Sequence, residues 1–190
     1  MSDGTHDTLI RISLAAQRLE LLGGGEVLRR FSVSTALNGP GERMNSGCTP
    51  CGWHEVRAMI GAGCPPGTVF VGRRPTGEIY TEELGQRFPE RDWILTRILW
   101  LRGLEPGRNR LGDVDSMRRF IYVHGCPDSE PMGVPRSHGC VRMRNPDVIE
   151  LFERVTPGTR VWIGAGAFGA EAPRHPWREG GGRADLRTQV

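Results

Sequence analysis

Glycine and proline break this chain before any apolar run grows long. It holds 27 glycines and 14 prolines in 190 residues. Glycine weakens a helix or strand interior, and proline removes a backbone donor. At that density, short strands joined by many turns are expected, not a helical bundle. The length suits one domain with its own core.

The pattern between the breaks is legible. Leu9 to Glu20 alternates loosely. Leu19 to Leu22 and Val27 to Val33 read as two strands joined at Gly23-Gly24-Gly25. Asn38 to Cys51 is a polar, Gly/Pro-rich loop, as is Gly103 to Gly112. Val56 to Ile60, Thr68 to Val71 and Trp93 to Leu101 are β-rich, the last interrupted by Thr96 and Arg97. Arg73 to Gly77 reads as a turn, and Thr81 to Asp92 as a helical turn or loop. Phe120 to Val123 is a short apolar strand ending at His124. The clearest helix starts with Asn145 as N-cap, Pro146 at the first helical position and Asp147 at the positive end. Thr156-Pro157-Gly158 stops it, and Arg160 to Ile163 is a closing strand. The ordered domain is placed at residues 8–164, with 165–190 as a flexible tail.

Several classes are disfavoured. A net charge of +3 is too mild to argue for nucleic acid. No segment approaches the ~20 apolar residues of a membrane span. Met1 to Thr8 has no basic residue, and the apolar segment from Leu9 meets Arg11 at once, so no secretory leader is read. A cytoplasmic location is therefore expected, or a periplasmic or wall location if the start is trimmed. All 25 basic residues are arginine. Genome composition explains that; the functional reading is bidentate recognition of carboxylates.

The five cysteines are Cys48, Cys51, Cys64, Cys126 and Cys140, an odd number that does not suggest a disulfide framework. Cys48-x-x-Cys51, with His54 and Cys64 nearby, has zinc-like spacing, but free thiols beside a loop are the favoured reading and no metal is expected. Cys126 lies two residues after His124, where a structural role outweighs a regulatory disulfide.

Ser137-His138-Gly139-Cys140-Val141-Arg142-Met143 carries the chemistry. A thiol is mostly protonated at neutral pH, and a neighbouring histidine can take its proton to leave a thiolate–imidazolium pair. His124, sixteen positions earlier, is the favoured base because a strand end holds it firmly. Asp128 lies in a Pro/Ser loop and is a poor orienting partner, whereas a backbone carbonyl near Gly125 suits the task. Gly139 removes bulk beside the nucleophile and lets backbone N–H groups face an oxyanion. Arg142 shares a face with Cys140 if the segment is extended, to bind a carboxylate or support the thiolate.

These residues resemble the catalytic signature of the YkuD-type L,D-transpeptidases, a His-Gly pair followed by Ser/Thr-x-Gly-Cys-Ile/Val-Arg-Met/Leu. His124-Gly125 and Ser137 to Met143 match without a gap. Asn145-Pro146-Asp147, Thr156 to Thr159, Ser34-Thr35 and Thr49-Pro50-Cys51-Gly52 also look like the family. The resemblance implies a mainly β catalytic domain, mixed sheets packed as a sandwich with one or more short helices. It implies that Cys140 attacks the meso-diaminopimelate–D-alanine bond of a peptidoglycan stem peptide or muropeptide. His124 would be base and then acid, the Gly125 carbonyl its orienter, and Gly139 and Cys140 the oxyanion donors. Ser137 and His138 would shape the site, and Arg142 would support substrate or loop. No cofactor is implied. A second peptide resolving the thioester gives a crosslink; water gives an L,D-carboxypeptidase, and the missing leader favours considering that outcome in the cytoplasm. A non-catalytic wall-binding module and a zinc-stabilised interaction domain are the competing classes.

Overall fold

Glycine turns build hairpins, and the hairpins build the sheet. The computed structural model describes residues 8–168. Strands β1 (Leu9–Ser13), β2 (Arg18–Gly23) and β3 (Glu26–Ser32) form an antiparallel meander. Gly24 and Gly25 turn β2 into β3 at φ 60° and 85°, a region open mainly to glycine. Strand β10 (Arg160–Gly164) lies between β1 and β4 (Gly52–Ile60), parallel to β1. The long β7 (Ile94–Gly103) pairs with β4, with the β5–β6 hairpin (Thr68–Val71, Arg74–Ile79) and with β8 (Tyr122–Gly125). Strand β9 (Val141–Met143) runs parallel to β8. The helices are α1 (Glu82–Arg87), capped by the Thr81 hydroxyl, and α2 (Asn145–Arg154). The fold is thus a mainly β mixed sheet with two short helices.

The sheet folds over its own core. After β3, Ser34 donates to Arg142 O at 3.0 Å and accepts from Arg142 N at 2.9 Å, so the chain returns to β9. Ile10, Leu19, Leu21, Leu99, Leu101, Val123, Val141, Met143, Val161 and Ile163 pack inside, and α2 adds Val148 and Leu151. Each fully buried aliphatic side chain contributes about 1.5–3 kcal/mol of transfer free energy. Glu20 is buried within β2, where Arg11 and Arg30 hold its carboxyl below the usual range against the cost of burial.

Some expectations from the sequence shift. The turn read at Arg73 to Gly77 is only Gly72-Arg73, both left-handed, and β6 starts at Arg74. Pro75 is tolerated because β6 is an edge strand. Phe120 is not in a strand: its φ is 57° and the side chain is exposed, so β8 begins at Tyr122 and contains His124. Asn145 is not the N-cap. Arg144 occupies that place without a side-chain bond, because the Asn145 amide is used elsewhere. At the other boundary, Gly166 O accepts from Ser13 Oγ at 2.7 Å and the Phe168 ring lies under Arg11. The rest of the tail assigned from the sequence, 169–190, lies outside the described residues.

Candidate active site

Strands β8 and β9 pair with Val123 opposite Val141, His124 opposite Arg142 and Gly125 opposite Met143. Strand alternation sends Val123, Val141 and Met143 into the core and turns His124 and Arg142 to the other face. Tyr122 shares that face, in a cluster with Phe70 and Ile98 against which Cys140 packs. The sheet thereby brings Cys140 beside the strand that carries His124.

Gly139 makes the turn into Cys140 possible. Its φ is 132°, and a Cβ there would stand 3.2 Å from Cys48 O and 3.3 Å from Ile121 Cδ1. The Thr49 hydroxyl donates to Gly139 O at 2.9 Å, which assigns a contact to the Thr49-Pro50-Cys51-Gly52 turn. Ser137 Oγ donates to Cys140 O at 2.5 Å and accepts from Gly139 N at 3.3 Å. His138 is exposed.

The thiol sits between two backbone groups. Tyr122 N–H donates to Cys140 Sγ at 3.4 Å, and the thiol donates to Phe120 O at 3.4 Å. A carbonyl only accepts, so this contact favours the protonated sulfur. Burial pushes the thiol up to about 12, although the residue as a whole is part-exposed. The Tyr122 N–H opposes that rise, Asp92 adds to it, and the Arg142 and Arg119 guanidiniums oppose it.

His124 is buried, and its Nδ1–H donates to Gly125 O at 2.7 Å. That bond places the proton on Nδ1 and leaves Nε2 as the basic nitrogen. Burial lowers the imidazole below its ordinary value; the Gly125 carbonyl and Asp92 oppose the shift and Arg142 adds to it. Burial thus raises the thiol and lowers the imidazole, and both shifts favour the neutral forms over a thiolate–imidazolium pair.

The remaining predicted residues divide. Arg142 is buried, but its guanidinium is committed to Asp92 at 2.9 Å and Glu130 at 3.0 Å. It ties β9 to the α1–β7 connection and to the loop after β8. Asp128 is exposed and 3.9 Å from Arg144, away from any role with His124. In the zinc-like set, His54 is fully buried with Nδ1 at 3.0 Å from Gly52 O and Nε2 at 3.0 Å from Ser116 Oγ, so neither nitrogen is open to a metal. Among the described residues no cluster of three ligating side chains forms. Cys126 is fully buried, and its thiol donates to Met143 O at 3.4 Å.

Two residues stand behind His124: Thr96, given no role from the sequence, and Asn145, read there only as a helix cap. Thr96 has φ 72°, rare for a β-branched residue, and sits at an irregularity in the β7–β8 register. Its hydroxyl accepts from Gly67 N at 2.9 Å and donates to Asn145 Oδ1 at 2.5 Å, while Asn145 Nδ2 donates to Cys126 O at 3.1 Å. A Cβ on Gly125 would collide with Asn145 Oδ1 and stand 2.7 Å from Leu95 O. Thr96 and Asn145 thus wall in the peptide whose carbonyl holds His124. The sequence signal for Thr96 was a polar residue inside an apolar strand.

Known proteins are similar to this chain at two levels. The L,D-transpeptidase catalytic domain model (YkuD) matches residues 7–163. A 43-residue stretch is 49% identical to the probable L,D-transpeptidase YbiS of Escherichia coli, covering 23% of this chain and 14% of that protein. A 45-residue stretch is 42% identical to the putative L,D-transpeptidase YqjB of Bacillus subtilis, covering 24% of this chain and 26% of that protein. These matches span about a quarter or less of either curated relative. In structure, the chain resembles an Enterococcus faecium L,D-transpeptidase C442S mutant (TM-score 0.51, 16% identity, 84% of this chain and 50% of that one). It also resembles an L,D-transpeptidase from Mycobacterium smegmatis (TM-score 0.50, 18% identity, 84% of this chain and 59% of that one). The structural likeness speaks for the fold. The family model, matched over nearly the whole described chain, identifies the protein as a member of the L,D-transpeptidase catalytic domain family, YkuD.

Proposed function

We propose that the protein is a cysteine-dependent acyl-transferase acting on peptidoglycan stem peptides, cleaving the meso-diaminopimelate–D-alanine bond. Family membership supplies the substrate class. The observation that carries the reading is the His124 Nδ1–H to Gly125 O bond of 2.7 Å, which leaves Nε2 to receive a proton on the face where Cys140 sits.

Burial favours the neutral thiol and the neutral imidazole, so proton transfer accompanies attack. Nε2 takes the thiol proton as sulfur bonds to the diaminopimelate carbonyl carbon, and the π electrons move to oxygen. The N–H groups of Gly139 and Cys140 stabilise that oxyanion, Gly139 leaving its long contact with Ser137 Oγ. The C–N electrons pass to the leaving nitrogen, the imidazolium returns the proton to it, and D-alanine departs from a thioester on Cys140. A second amine or a water, deprotonated by His124, then attacks the thioester carbonyl and regenerates the thiol.

Mass spectrometry after incubation with a tetrapeptide muropeptide tests the reading. Loss of one alanine is expected from the unaltered protein and none from Cys140→Ala; turnover surviving in that variant removes the assigned nucleophile. Adding an acceptor muropeptide separates crosslinking from hydrolysis.

A further inference from the structure

At the tip of the β5–β6 hairpin, Arg73 holds an unusual seat. Its φ is 67°, and its guanidinium lies 4.3 Å from the Trp100 ring centroid and 5.0 Å from that of Phe120. Nη1 donates to the Tyr122 hydroxyl at 2.9 Å. Among the described residues no carboxylate pairs with it. The residue is half-buried, so part of the guanidinium meets solvent.

Two residues connect this cation to the nucleophile. Phe120 gives its ring to Arg73 and its carbonyl to the Cys140 thiol. Tyr122 gives its hydroxyl to Arg73 and its N–H to the Cys140 sulfur. The guanidinium rests against both rings and on the Tyr122 hydroxyl, and with no carboxylate partner among the described residues its remaining N–H donors suit a carboxylate. The contacts also hold the long side chain in one orientation, which lowers the entropy cost of binding.

We propose that Arg73 binds a carboxylate of the peptide substrate beside Cys140 and sets specificity for an acidic stem peptide. This rests on the stem-peptide reading above. A stem tetrapeptide offers two carboxylates near the scissile bond, the terminus of the leaving D-alanine and the diaminopimelate side chain.

Three synthetic tetrapeptides separate these sources: one with both carboxylates free, one amidated at the C-terminus and one amidated on diaminopimelate. Binding is measured by calorimetry to the Cys140→Ala protein and to Cys140→Ala/Arg73→Gln, and kcat/KM is measured for the unaltered protein and Arg73→Gln. One amide is expected to bind the Cys140→Ala protein at least about tenfold more weakly than the free acid. In the double variant the acid should fall to the level of that amide, while binding of the amide itself is unchanged and reports an intact fold. The amide that loses affinity identifies the carboxylate. Equal binding of all three peptides, no binding of any, or a preference that survives Arg73→Gln overturns the assignment. Absent turnover with an Arg73-dependent binding preference defeats the reaction and leaves the carboxylate site standing.

Discussion

The chemistry at Cys140 and His124 depends on backbone atoms at the residue scale. Phe120 and Tyr122 hold the sulfur through their main chains, and Gly125 holds the imidazole through its carbonyl. Side chains nearby act by exclusion, as at Gly125, where added bulk meets Asn145 and Leu95 O. Gly125→Ala must push that peptide away or displace Asn145, and either turns the carbonyl that orients His124. We expect kcat/KM for alanine release to fall about 100-fold, the scale for ångström-level misplacement of a catalytic group. Steady-state kinetics on a muropeptide checks this; a near-normal rate would show that the carbonyl does not set the imidazole. Gly125 was readable as an orienter from its place after His124. The Phe120 contact was not, because a left-handed residue before a strand leaves no pattern.

Elements meet behind the site where β7, β8 and α2 converge. Asn145 begins α2, yet its amide reaches Thr96 in β7 and Cys126 O after β8. Asn145→Ala leaves the Thr96 hydroxyl and the Cys126 carbonyl without that partner. A loss of about 1–3 kcal/mol in unfolding free energy is expected, the usual cost of unsatisfied buried polar groups. Urea denaturation should show a lower midpoint at constant m-value; an unchanged midpoint would mean that water replaces the amide freely. The helix itself was visible from its Pro146 start and apolar spacing. Its cap was misplaced because a favourable capping residue was diverted to a tertiary contact, which local sequence does not register.

Acid stability belongs to the whole molecule. His54 is buried in β4 and its imidazole is lowered to about 4, chiefly by burial. Between pH 6.5 and 4 the unfolded chain binds a proton at this position that the folded protein refuses, so stability falls as pH falls through that window. The shift from 6.5 to about 4 corresponds to about 3 kcal/mol. His124, also lowered by burial, works in the same direction. Replacing His54 by Gln should flatten the unfolding free energy between pH 6.5 and 4, measured by denaturant titration at several pH values. An equally steep decline in the variant would move the effect to other groups, such as the Glu20 carboxylate held by Arg11 and Arg30. Arg142 works at this scale too, pinning Asp92, Glu130 and the returning Ser34 segment around β9.

The sequence by itself determined the mainly β class, most strands, the family signature and the prominence of Cys140 and His124. Those follow from local period, turn chemistry and residue spacing, which a linear chain displays directly. Tertiary structure alone decided that Cys140 lies where burial raises its thiol, that Arg142 is bound to two acids and that His54 is occupied. It also decided that Arg73 packs against Trp100 and Phe120. Each of these depends on burial and on partners distant in the chain, and the folding of the sheet over its core sets both.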